Sequence, residues 1–124
     1  MGELIYKEEF YRIIGICMDV HKLLGRGFLE IVYKDALEYE FRQKNIAYER
    51  EKEFKIEYKN IILPHKFYAD FVIYDNIILE IKAIQGIHED FTKLVLNYMA
   101  TAKSKLGILV NFGNDSLEYK RYVL

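Results

Sequence analysis

Residues 68–83, YADFVIYDNIILEIKA, constrain the fold more than any other stretch of this chain. Two runs rich in Ile, Val, Leu and Phe flank a tight turn at Asp75-Asn76, the pattern of a hairpin built from buried strands. Asp70, Glu80 and Lys82 interrupt that apolar ribbon. Taking a charge out of water is strongly unfavourable unless it is paired or binds a metal. A fold that buries this hairpin must therefore give all three charges partners.

Hairpin register decides whether the three meet. Side chains alternate along a strand, so Glu80 and Lys82 share a face with Ile78, while Leu79, Ile81 and Ala83 form an apolar face opposite. A two-residue turn at Asp75-Asn76 pairs Phe71 with Glu80 and throws Asp70 to the other face. A three-residue connection, Tyr74-Asp75-Asn76, pairs Asp70 with Glu80 and gathers the charges; it also collects Ala69, Phe71 and Ile73 on the apolar face. The second register is expected, because the first strands Asp70 unpaired among apolar side chains.

Around the hairpin the spacing of apolar residues changes. Phe10, Ile13, Ile14, Cys17, Val20, His21 and Leu24 recur at helical intervals and predict an amphipathic helix over residues 7–24. His21 on that stripe reads as a partly buried histidine with a hydrogen-bond partner rather than a catalytic group. Gly25-Arg26-Gly27 breaks the helix. A second helix is expected over residues 28–44, with Glu30, Tyr33, Leu37 and Phe41 on one face. Glu30 in its first turn gains about 0.3–1 kcal/mol from the helix end and points with the core-seeking residues. From Glu53 the pattern alternates, predicting a half-solvated edge strand. After a turn at Lys59-Asn60 a strand starts near Ile61, with Pro64 at a bulge because proline cannot donate to the ladder. A third helix is expected over residues 88–103, burying Phe91, Leu94, Val95, Tyr98 and Ala102, with Gly107 as its stop. A doubly buried strand over 108–112 and a last strand over 117–123 follow. The passage from Ile77 to Phe112 predicts a right-handed crossover joining parallel strands. The class is α/β, a mixed sheet flanked by helices, in the order α-α-β-β-β-α-β-β.

With 124 residues, 52% of them hydrophobic and one proline, the chain fits a single domain over residues 1–124, and disorder is excluded. Its apolar runs are far shorter than the roughly 20 residues of a membrane span, and no leader pattern opens the chain. Cys17 stands alone, so neither an internal disulfide nor a cysteine-based zinc site is expected, and a cytoplasmic location fits best. A formal net charge of −1 argues against an indiscriminate polyanion binder, although an acidic metal cluster would offset basic residues elsewhere.

Two carboxylates on adjacent strands are hard oxygen donors suited to Mg²⁺ or Mn²⁺. An ion held there can polarise a phosphodiester and lower the pKa of a bound water. Lys82 beside it can stabilise charge growing on the phosphorane oxygens or orient the attacking water. Glu30 could add a ligand, directly or through water. The bland alternative is that Glu80 and Lys82 form an exposed strand ion pair worth about 0–1 kcal/mol.

Gly27-Phe28-Leu29-Glu30-Ile31-Val32-Tyr33 resembles the signature of the GxxExxY protein family, and Asp70 with Glu80-Ile81-Lys82 resembles the PD-(D/E)XK nuclease motif. Asn97-Tyr98, residues 107–113 (GILVNFG) and residues 117–121 (LEYKR) extend the similarity from about Val20 to the C-terminus. The resemblance implies a restriction-endonuclease-like core of order α-β-β-β-α-β and a metal-dependent nuclease, with DNA ahead of RNA as substrate. It makes Asp70, Glu80 and Glu30 the metal-site acids and Lys82 the catalytic lysine, with Gly27, Glu30 and Tyr33 as the family motif. Related nucleases often carry Gln one turn before the tyrosine matching Tyr98; here that position is Leu94, with Lys93 next to it as a substitute. His88 and Tyr98 are accessory candidates. Nucleic acid is the implied partner, no membrane is, and a homo-oligomer is compatible. The alternative reading is a nuclease-fold module that binds nucleic acid or a protein without cleaving.

Overall fold

A computed structural model describes residues 6–87 and 89–124. Helices α1 (Lys7–Leu24) and α2 (Glu30–Gln43) lead into strands β1 (Tyr48–Tyr58), β2 (Ile61–Ile73) and β3 (Ile77–Lys82); then come α3 (Glu89–Ala102), β4 (Leu106–Asn111) and β5 (Glu118–Val123). The expected element order is the observed one. Strands lie in the sheet in sequence order, β1-β2-β3-β4-β5. β3 and β4 run parallel and every other neighbouring pair is antiparallel. The chain thus needs one crossover, and α3 makes it.

The sheet is packed on both faces. Against one lie α1 and α2, with Phe10, Ile13, Ile14, Cys17, Tyr33, Leu37 and Phe41 meeting Phe71, Ile73, Leu79, Ile81, Ile108, Val110 and Phe112. Against the other lies α3, through Val95, Tyr98 and Met99 on Ala69, Val72, Ile78 and Leu109. β4 is buried along its whole length, as its apolar run Leu106–Val110 requires, and the buried Asn111 amide at its end is satisfied by Ile84, Gly113 and Glu118. His21 is buried beside Phe112 and donates from Nε2 to the Asn114 carbonyl at 2.9 Å, which gives it a structural place.

Several sequence expectations are corrected here. β1 begins at Tyr48, five residues before Glu53, because the charged run Glu49-Arg50-Glu51-Lys52 finds partners on β2 and α2 that its composition conceals. Gly107 does not stop α3. The helix closes at Lys103, in left-handed backbone (φ 56), and Gly107 lies inside β4. A Cβ there would come within 2.5 Å of Met99 Sδ and 2.7 Å of Val95 Cγ1, so the glycine lets α3 press directly onto the sheet. Pro64 does fall in an irregular stretch: register shifts between Lys55/Lys66 and Glu57/Ile62, leaving residues 63–65 opposite Ile56 alone.

Candidate active site

The β2–β3 connection is the three-residue one. Phe71 faces Leu79, Val72 faces Ile78 and Ile73 faces Ile77. Tyr74 and Asp75 take left-handed angles (φ 54 and 64) to turn the chain. Continued one step, this register sets Asp70 against Glu80, and there the pairing changes character. The Asp70 N–H donates to Glu80 Oε1 at 3.2 Å, and the Ile81 N–H donates to Asp70 Oδ2 at 2.8 Å. Side-chain carboxylates have taken the place of backbone carbonyls, so the strands are stitched through the two acids where their ladder ends.

One part of the expected face is wrong. Phe71 and Ile73 do pack toward α1 and α2 with Leu79 and Ile81, but Ala69 packs toward α3. The in–out alternation slips by one residue at Asp70. β1 slips at the same level: Glu51, between Arg50 opposite Phe71 and Lys52 opposite Ala69, has φ 52 in mid-strand. As a result both Arg50 and Glu51 reach α2, where Arg50 binds Asp35 and Glu38 and Glu51 binds Lys34. Such backbone is uncommon for a residue with a Cβ and concentrates at functional sites.

Asp70 and Glu80 are 7% and 3% exposed. Burial pushes the Glu80 carboxyl up to about 10, reinforced by the charge of Asp70 and by a hydrogen bond between the two carboxyl groups, and only partly opposed by the Lys82 charge. Burial and the neighbouring carboxylate both favour the neutral form of Glu80. Lys34 on α2, 8% exposed, supplies positive charge: its ammonium donates to Asp70 Oδ1 at 2.9 Å and to Glu51 Oε1. Burial works against the Lys34 charge, yet its bonds to Glu51 and Asp70 prevail and hold its pKa above the ordinary lysine value.

Lys82 is half-buried, with Nζ 4.7 Å from the centre of the Phe91 ring, and forms no ion pair among the described residues. Desolvation raises the Glu30 pKa, with Lys82 the largest opposing charge and Asp70 adding to the rise, so Glu30 feels the site from the first turn of α2. It does not close on the acid pair: among the described residues no group of three or more His, Cys, Asp or Glu side chains is arranged to hold a metal. Tyr98, buried on α3, has its phenol pushed up to about 12 by burial and by the nearby charges of Glu80, Asp70 and Glu51. Leu94 packs among the apolar side chains under α3, and Lys93 is exposed on the helix with no bond to the acids. His88 lies outside the described residues. Tyr33 anchors the Gly27–Tyr33 motif: its hydroxyl donates to the Gly25 carbonyl at 2.6 Å and accepts from the Phe28 N–H at 3.3 Å, while its ring stacks on Phe112 at 4.5 Å. Gly27 at φ 106 makes the turn that this requires.

Lys34 and Glu51 are the residues that sequence reasoning missed. For Lys34 a signal was present: residues 30, 34, 37 and 41 fall on one helical stripe, so a lysine there is carried toward the core. Nothing local marks Glu51.

A divalent metal fits this donor set. Asp70 and Glu80 offer buried hard oxygens side by side, the donor type that divalent cations such as Mg²⁺ or Mn²⁺ take while retaining waters.

A family model for the PD-(D/E)XK nuclease superfamily matches residues 7–122, and the chain belongs to that superfamily. Its members typically use divalent metals. Among solved structures the chain is similar in fold to the protein SSO0001, with a TM-score of 0.61 and 22% identity; the match covers 76% of this chain and 50% of that one. This chain therefore spans about half the length of that protein. No curated protein matches. No helix among the described residues is long and apolar enough to cross a membrane.

Proposed function

We propose that the protein is a Mg²⁺- or Mn²⁺-dependent nuclease that hydrolyses phosphodiester bonds in nucleic acid, DNA ahead of RNA. The observation that carries this reading is the stitched acid pair. Asp70 and Glu80 are buried side by side where the β2–β3 ladder ends, and Lys82 is two residues further along the same strand. A divalent ion there would supply Lewis-acid activation of the phosphate and of a water. Asp70 and Glu80 would hold it, with the Ile81 N–H fixing the orientation of Asp70. Lys82 has an ammonium resting on an aromatic face rather than tied to a carboxylate, which leaves it able to meet charge developing on the phosphorane oxygens. Glu30 faces the same charges from α2 and would act through water. Tyr98, buried on α3, lies within the field of the acids.

The test is cleavage of single-stranded, duplex and branched DNA and RNA with Mn²⁺, comparing wild type with Asp70→Ala and Lys82→Ala. Cleavage by the wild type that both variants lose is expected. Equal cleavage by all three would identify a contaminant and sink the reading. A second reading, a module that binds nucleic acid or a protein partner without cutting, draws on Leu94 and on the engagement of both Asp70 oxygens by Lys34 and Ile81. Binding without cleavage, weakened steeply by salt, would select it for nucleic acid.

A further inference from the structure

We propose that Lys34 is a built-in counter-cation of the acid pair that a divalent ion must displace, and that Glu51 is the carboxylate that takes the ammonium over. The inference rests on the metal-site reading of Asp70 and Glu80 above. Lysine is almost never buried unless paired, and Lys34 is buried between Tyr33 and Leu37 on the core stripe of α2. Its ammonium is on Asp70 Oδ1 at 2.9 Å, and the Ile81 N–H holds Oδ2. Asp70 therefore meets any incoming cation with a positive charge already beside it. Like charges compete for one carboxylate, and in a partly desolvated site the repulsion between them is strong.

Glu51 supplies the second half of the device. Regular alternation after Arg50, which binds α2, would turn Glu51 away from that helix. Its left-handed backbone (φ 52) instead brings its carboxylate to Lys34 from the partly open edge of β1, where its side chain is 49% exposed. Holding a non-glycine residue in that backbone region is unfavourable. A lysine bonded to Asp70 alone would have to be abandoned in the interior when metal enters. With Glu51 already sharing it, the ammonium gives up one bond and keeps the other. The arrangement keeps the metal-free site neutral enough to fold and lowers its metal affinity below what two bare buried acids would have.

Mn²⁺ binding without nucleic acid, followed by titration calorimetry and by the metal-induced rise in Tm, tests this. Lys34→Met keeps the apolar stem and removes the charge; it is expected to tighten Mn²⁺ binding about tenfold, the scale of a typical coupling between two sites. Glu51→Gln leaves the ammonium to Asp70 and is expected to weaken Mn²⁺ binding severalfold. Opposite signs distinguish competition from packing, since a merely structural Lys34 and Glu51 would weaken binding together or leave it unchanged. Unchanged or weaker binding in Lys34→Met, or unchanged or tighter binding in Glu51→Gln, overturns the inference; Glu51, at the exposed edge, provides this check even if Lys34→Met does not fold. Asp70→Asn separates the two failures. Wild type that does not bind Mn²⁺, or binds it as well as Asp70→Asn does, overturns the metal-site reading and the inference with it. Binding that needs Asp70 but ignores Lys34 and Glu51 overturns the inference alone.

Discussion

The two faces of the sheet are packed with different materials. Toward α1 and α2 the contacts are large and apolar, running from Phe10 through Phe41 to Phe112. Toward α3 the apolar layer is thinner, and Glu80 and Lys82 lie on that side of β3 beside Ile78. The first face holds the sheet together; the second leaves room for charge. Asp70 and Glu51 sit at the one level where strands slip between the two arrangements, so the acid pair is reached from both sides: Lys34 from α2, Tyr98 from α3.

Breaking the first face should have the largest effect. Phe41, fully buried on α2 with its ring edge-on to Phe71, should cost about 3–5 kcal/mol when replaced by Ala. Denaturant unfolding measures this, and the surviving folded fraction should keep its cleavage rate per molecule. Lys82→Ala should do the reverse, lowering cleavage about 10²–10³-fold, the range for losing one stabilising donor, with Tm near wild type. If instead Lys82→Ala unfolds the protein and Phe41→Ala does not, the division between the faces is mistaken. Gly107→Ala, on the second face, should destabilise by about 1–3 kcal/mol through the clash with Met99 and Val95.

A pH slope tests the acid pair itself. Because the Glu80 pKa rises on folding, the native state keeps a proton that the unfolded chain gives up. That contribution is fully present below the ordinary value of 4.5 and is lost as pH rises toward about 10. Metal-free wild type should therefore lose Tm with rising pH across this window more steeply than Glu80→Gln. Parallel slopes would mean that Glu80 is not held neutral.

How much of this was readable beforehand follows from where the partners lie. The hairpin register was legible because its rival stranded Asp70 among apolar side chains, a penalty visible within sixteen residues. Helical and alternating periods located most elements for the same local reason. The start of β1 was hidden because Arg50 is answered by Asp35 and Glu38, on a helix the strand pattern says nothing about. Gly107 looked like punctuation because the close approach of Met99 is a tertiary fact. The displacement of Ala69 and the role of Glu51 depend on a backbone angle that glutamate does not advertise. Tyr33 and Glu30 were flagged by the motif; Lys34, between them and Leu37 on the same stripe, needed only the question of what a lysine does there.

The short link between β2 and β3 also bears on the order in which the molecule assembles. Asp70 and Glu80 are ten residues apart and meet through a three-residue turn, whereas Lys34 is thirty-six residues from Asp70 and β4 joins β3 only after the α3 crossover. Local loops close at lower entropic expense and sooner than distant ones. The hairpin can bring the carboxylates together while water still surrounds them, and their desolvation is deferred until the helices dock. The acid pair is thus a product of a local chain reversal, and its isolation from solvent is a product of contacts distant in sequence.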